Sequence, residues 1–180
     1  MAESQSKIRF NLMSFAFSIR DFLFPRDNIL DEVGIKNGDF VLDFGCGSGS
    51  YIVPLAEMVG NSGRIYALDM NPLAIENGRK IVSKNRLLNV QFILSDCDTI
   101  LPNGCLDIVL MYDVLHDIDD AKPILYEMHR LLKPNGILSC SDHHLSRNEI
   151  VSIMTQSILF ELSKEGKNTF SFSKVKESAI

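Results

Sequence analysis

The sequence contains no run of roughly 18 apolar residues, the length needed to cross a bilayer, and no leader pattern at its start. A membrane span is not expected, and a cytoplasmic location is. Positive charge is not in excess either. The formal net charge of −5 gives no general attraction to a polyanion, so nucleic acid is not expected as a partner. The four cysteines (Cys46, Cys97, Cys105, Cys140) form no C-x-x-C pair and no zinc-finger spacing, which argues against a disulfide framework and a structural metal. Reduced, mostly buried thiols are the expectation. Repeats, low-complexity tracts and Pro/Ser-rich linkers are absent, so the 180 residues read as one compact domain. A hydrophobic content of 46% is ample for a core.

What is present centres on Phe40-Val41-Leu42-Asp43-Phe44-Gly45-Cys46-Gly47-Ser48-Gly49. An apolar strand runs into three alternating glycines, and a helical pattern follows from Ser50. Strand, tight turn and helix in that order open a nucleotide-binding βαβ unit. Glycine there lets backbone N–H groups approach a ligand, beside the partial positive charge of a helix N-terminus. The spacing G-x-G-x-G departs from the dinucleotide fingerprint G-x-G-x-x-G. Asp43, two residues before the first glycine, would repel a pyrophosphate. The same carboxylate suits a ligand carrying positive charge, and S-adenosylmethionine, with its sulfonium and ammonium groups, is the leading candidate.

Along the chain, Ile8, Leu12, Phe15, Ile19 and Phe22 mark a helical stripe widened by Phe10, Met13 and Phe17. It reads as a core-covering helix, a lid over the active site, or a surface for a partner or second copy. A second helix is expected from the cap Asp27 to about Val33, closed by Gly34. Strands are predicted over 39–44, 64–69, 90–95, 106–112 and 137–142. Helices are predicted over 50–59, from the Asn71-Pro72 cap to about Asn85, over 120–132, and from the S-x-x-E capping box at Ser146. Lys133-Pro134-Asn135-Gly136 reads as the stop between the helix over 120–132 and the fifth strand. Alternation at Phe160/Leu162 and Phe170/Phe172 predicts a terminal hairpin. The fold class expected is α/β: a doubly wound, mostly parallel seven-stranded sheet with a C-terminal antiparallel hairpin.

Four motifs then stand in order: V-L-D-F-G-C-G-S-G, I-Y-A-L-D-M-N-P, F-I-L-S-D-C and L-D-I-V-L-M-Y-D-V-L-H-D, with L-L-K-P-N-G-I-L before the fifth strand. With these the chain resembles the class I S-adenosylmethionine-dependent methyltransferases, whose fold is Rossmann-like, from about Asp39 to Phe172. The resemblance implies a cofactor-binding domain over 39–180 and N-terminal helices over 1–38 on the lid and acceptor side. It implies that Gly45, Cys46, Gly47 and Gly49 cradle the methionine part of the cofactor through backbone atoms, with Asp43 on its ammonium side. Asp69, which follows Gly49 by 20 residues, resembles the acid that grips ribose hydroxyls. Met70 is expected on the adenine face, Asp96 at the adenine amino group and the Cys97 N–H at the ring. Tyr112 and Asp113 are expected at the amino-acid end.

The reaction implied is methyl transfer to a small-molecule acceptor, in which positioning and water exclusion matter most. His116, in the V-L-H segment after the fourth strand, lines the acceptor side in similar enzymes and is the candidate base. Asp113, Asp117, Asp142 and His143 stand where some catechol-type relatives hold a divalent ion, but a metal is not expected here. The N-P-P-Y motif of amino-directed nucleic-acid methyltransferases is missing. A catalytically silent cofactor-binding partner subunit is the alternative function, and a nicotinamide oxidoreductase is disfavoured by the glycine spacing and Asp43.

Overall fold

A computed structural model describes residues 27–175. The helical stripe expected over 8–22 lies outside them. Helix α1 (Asp27–Asp31) leads through a turn closed by Gly34 at φ 79° into β1 (Phe40–Phe44). There follow α2 (Ile52–Val59), β2 (Arg64–Asp69), α3 (Pro72–Asn85), β3 (Val90–Leu94) and β4 (Leu106–Tyr112). A 3-10 turn (Leu115–Asp117), α4 (Lys122–Leu131), β5 (Leu132–Ser141), α5 (Arg147–Thr155), β6 (Phe160–Glu165) and β7 (Phe170–Lys174) complete the order.

The seven strands form one sheet in the order β3-β2-β1-β4-β5-β7-β6. The first five in that order are parallel, while β7 runs antiparallel to β5 and β6 to β7. The doubly wound sheet with a terminal hairpin is therefore the architecture observed. Strand order reverses between β1 and β4, so their carboxyl ends flank the crevice where such sheets bind ligands.

Alternation along the central strands divides the core. Leu42, Leu68, Val109 and Met111 face α4 and α5. Val41, Ile65, Ile108 and Leu110 face α1 and α2. Burial on both faces explains why Leu106–Tyr112 reads as a nearly unbroken apolar run. Local caps match their chemistry. The Asn71 side chain accepts from Leu73 N, with Pro72 at the first helical position, and Ser146 and Glu149 form a reciprocal capping box.

One boundary differs from the expectation. Strand β5 starts at Leu132, which pairs with Leu106, and the next partners are Ile108 and Ile137. Lys133-Pro134-Asn135-Gly136 is thus a bulge inside the strand rather than a stop before it. The Lys133 ammonium, 2.7 Å from both carboxylate oxygens of Asp107, fastens the bulge to β4. Among the described residues, no helix is long and apolar enough to cross a membrane.

Candidate active site

Gly45, Gly47 and Gly49 all have positive φ, at 77°, 51° and 82°. The turn they make folds over the end of β2, where Gly45 N and Cys46 N both donate to Leu68 O at 2.9 Å. Gly47 N donates to Asp69 Oδ2 at 2.8 Å, and Asn71 N donates to Asp69 Oδ1 at the same distance. The Asp69 carboxylate is thereby fixed at the mouth of the loop, each oxygen keeping a lone pair for a further donor. A Cβ on Gly45 would strike the Val114 side chain at 2.8 Å, so the loop and the segment after β4 sit in direct contact.

Beneath the loop, Asp43 is only 2% exposed, and its Oδ2 has no hydrogen-bond partner. Burial, followed by the nearby Asp69 charge, pushes its carboxyl up to about 7. An unpaired buried carboxyl under a glycine loop is a place where a cationic group would relieve strain in the electrostatics. Cys46 is buried beside it, its thiol pushed up by burial and then by Asp43 and Asp69, which makes it inert as a nucleophile.

A cleft of about 830 Å³ opens along the carboxyl ends of β1, β2 and β4. It brings together Gly45, Gly47, Asp69, Met70, Asp96, Asp113, His116, Asp117 and His143 of the residues singled out by sequence. The others stand apart from its wall. Asp43 and Cys46 lie under the loop, and Gly49 packs its Cα against Ile52 and Ile81. Cys97 turns its N–H to Ser95 Oγ at 3.2 Å. Tyr112 is buried with its hydroxyl 2.9 Å from Ser139 Oγ and its ring edge-on to Tyr51. It lines a second cavity of about 560 Å³, shared with Ile29, Tyr51 and Asn168, that meets the first at Asp113 and His143.

The far end of the cleft holds two histidine–aspartate pairs. His116 Nδ1 lies 2.9 Å from Asp142 Oδ2, and His116 N donates to the same oxygen at 3.1 Å. Asp142 Oδ1 accepts from His144 N at 2.9 Å. His143 Nδ1 lies 2.7 Å from Asp113 Oδ1. The hydrogen bond to Asp142 raises the His116 imidazole above its ordinary range, against the opposing effect of burial. Burial raises the Asp142 carboxyl, but the bonds from His116 and His144 outweigh it and hold the group low. Donor atoms of Asp113, Asp142 and His143 lie within 4.8 Å of one another, close to the spread a divalent ion gathers. The Asp142 side chain, however, is wholly enclosed, and both its oxygens are engaged by histidines.

Sequence reasoning placed Asp142 at the same edge without seeing that it orients His116. The signal was available: Tyr112 pairs with Ser141, so the residues that follow β4 and β5 emerge side by side.

Residues 35–175 match the family described as the methyltransferase domain. The chain belongs to the S-adenosylmethionine-dependent methyltransferase family. A demethylmenaquinone methyltransferase of Geobacillus sp. (strain WCH70) is 30% identical over 132 residues, covering 73% of this chain and 56% of that protein. The chain thus spans little more than half the length of the curated relatives it matches. A S-adenosylmethionine-dependent methyltransferase from Aquifex aeolicus superposes with a TM-score of 0.74 at 27% identity, covering 85% of this chain and 90% of the other. The cyclase SpnF shares the fold, with a TM-score of 0.67 at 18% identity over 77% of this chain and 56% of its own. One fold therefore serves more than one chemistry, and function must be argued from the site.

The site fits the family's cofactor. Its orphaned Asp43 carboxyl answers a cation, the Gly45–Gly47 backbone leaves room for close approach, and the fixed Asp69 carboxylate answers hydroxyl donors.

Proposed function

We propose that this protein transfers a methyl group from S-adenosylmethionine to a small-molecule acceptor. The observation that carries the reading is a single cleft with the glycine loop and Asp69 at one end and His116, His143 and His144 at the other. In this reading Asp69 takes the ribose hydroxyls, Gly45 and Gly47 take the methionine part, Met70 and Asp96 flank the adenine, and Asp43 balances the ammonium. S-adenosylmethionine supplies an activated methyl carbon when bound. The protein's own share is to align the acceptor and keep water away, for which Val114, Ile118 and Ile124 provide an apolar wall.

A small acceptor is supported by the name of the Geobacillus relative, whose acceptor is a small molecule. A polyanionic acceptor is disfavoured by the net charge of −5 and by a cleft lining that, among the described residues, has no lysine or arginine.

The test is calorimetric titration of S-adenosylmethionine, S-adenosylhomocysteine and NAD into the wild type and Asp69→Ala. The two adenosyl ligands should bind the wild type, and the variant should bind them at least about 10-fold more weakly, as expected when charge-assisted bonds worth 1.5–3 kcal/mol are lost. Binding of NAD without binding of S-adenosylmethionine would overturn the reading.

A further inference from the structure

We propose that this protein associates with a second copy of itself through β3, the two open edges pairing antiparallel across a two-fold axis at Gln91.

The two edges of the sheet are built differently. Among the described residues, β3 and β6 are its outer strands. Strand β6 carries Glu161, Lys164 and Glu165, all exposed, and its register shifts between Leu162 and Lys164. Arg147 adds a further charge beside it, 2.8 Å from Glu165. Charges and bulges are the devices that keep an edge from pairing with another chain. Strand β3 has neither. From Leu87 to Ser95 the segment L-L-N-V-Q-F-I-L-S contains no charged residue, and its pairing with β2 is regular. Leu88 and Leu94, at the two ends of the strand, are 93% and 58% exposed.

The backbone offers the bonds. Ile65 N donates to Asn89 O at 2.8 Å and Ser95 N donates to Asp69 O at 3.2 Å, so the odd-numbered residues turn their peptide groups toward β2. Val90, Phe92 and Leu94 therefore turn their N–H and C=O groups to the open edge. An antiparallel copy set with its Phe92 opposite Val90 exchanges both hydrogen bonds of each such pair. The same register places Leu88 of one copy against Leu94 of the other and Gln91 against itself at the axis. Every one of these pairs is uncharged.

Charge selects the direction and the partner. The exposed Lys84 and Arg86 precede the strand, and the exposed Asp96 and Asp98 follow it. Antiparallel pairing brings each basic end to the other copy's acidic end, whereas parallel pairing would set like charges together. Pairing of β3 with β6 of another copy would propagate into a filament, and the charges on β6 oppose it. Two β3 edges joined across the axis close on each other and leave the guarded β6 edges outermost. Residues 1–26 are the rival occupant. The described chain starts at α1, however, and Glu32 just after it is bonded to Asn168 and Thr169 of the hairpin, at the opposite edge of the sheet from β3.

The test is sedimentation velocity over a concentration series, with Gln91 as the probe because it is exposed and lies outside the cleft. The wild type should pass from monomer to twice that mass, with a dissociation constant on the order of micromolar, as expected of a seam only five residues long. Gln91→Glu and Gln91→Lys each set like charges face to face at the axis and should weaken association by about 10-fold or more. An equimolar mixture of the two variants should recover it. Thermal unfolding in dilute solution should be alike in all three proteins, which separates a lost seam from a lost fold. In the wild type, amide exchange at Val90, Phe92 and Leu94 should slow as concentration rises. A wild type that stays monomeric throughout, or a dimer that ignores both Gln91 substitutions, would overturn the proposal. So would a monomer in which those three amides are protected at every concentration, because residues 1–26 would then be what covers the edge.

Discussion

A carboxyl group enclosed without a partner ionises reluctantly, and Asp43 shows what that does to the ligand-free protein. The folded state holds its proton up to about pH 7, whereas the unfolded chain releases it near 3.9. Between those values the folded state binds more protons than the unfolded one, so this group's contribution to stability falls as pH rises and levels off above about 7. Asp43→Asn should therefore stabilise the ligand-free protein at pH 8 by on the order of 2–4 kcal/mol, with the gain vanishing near pH 4. Urea unfolding of both proteins at several pH values checks this, and a pH-independent difference would contradict it. The same substitution should weaken S-adenosylmethionine binding, trading ligand affinity for stability. Asp43, Asp69 and Asp96 could be singled out in the sequence because each stands at or near the carboxyl end of a strand, beside a recognisable turn. The Asp142–His116 pair was not, since 26 positions separate the two and only the register of β4 on β5 joins them.

Among the elements, α3 shows local preference and packing pulling in opposite directions. Gly78 sits in the middle of this helix, where alanine would be favoured by about 1 kcal/mol of propensity. A Cβ there would collide with the Phe92 ring on β3 and lie 3.1 Å from Ile52 Cδ1. Overpacking of that kind costs about 1–3 kcal/mol, so packing should win. Gly78→Ala is expected to lower stability by up to about 2 kcal/mol, measured by thermal or urea unfolding, while an unchanged or raised midpoint would show that the ring moves aside freely. The helix itself was readable from its Asn71-Pro72 start and apolar spacing. The bulge in β5 was not, because proline, asparagine and glycine in succession look alike in a loop and in a bulge. The pairing of Leu132 with Leu106 and the grip of Lys133 on Asp107 decide between them, and both are long-range facts.

For the molecule as a whole, the hairpin β6–β7 closes one edge of the sheet, and Glu32 ties it to the start of the described chain. Its carboxylate accepts from Asn168 N at 3.0 Å, Thr169 N at 3.0 Å and Thr169 Oγ1 at 2.9 Å, while Lys164 Nζ donates to the Glu32 carbonyl. The clasp lies beside the second cavity, whose wall includes both Ile29 just after the start of α1 and Asn168 at the hairpin turn. That cavity meets the cleft at Asp113 and His143, so the clasp stands beside the histidine-lined end of the candidate site. Burial raises the Glu32 carboxyl, but the hydrogen bonds from Asn168 and Thr169 outweigh it and hold the group below its usual range. A carboxyl lowered in the folded state contributes stability that is present above its unfolded value and lost as pH falls through the folded one. Glu32→Ala leaves the Asn168 and Thr169 donors without their acceptor and should cost about 1–3 kcal/mol. Because the Glu32 carboxylate accepts from the Asn168 and Thr169 amides themselves, the loss should appear as faster amide exchange at residues 166–170 before the central strands respond. Hydrogen exchange resolved by residue, at neutral pH and again near pH 3, distinguishes the outcomes. Acid should bring the wild type toward the variant at the turn, and protection there that ignores both the substitution and the acid would show that the sheet, not Glu32, holds the hairpin in place.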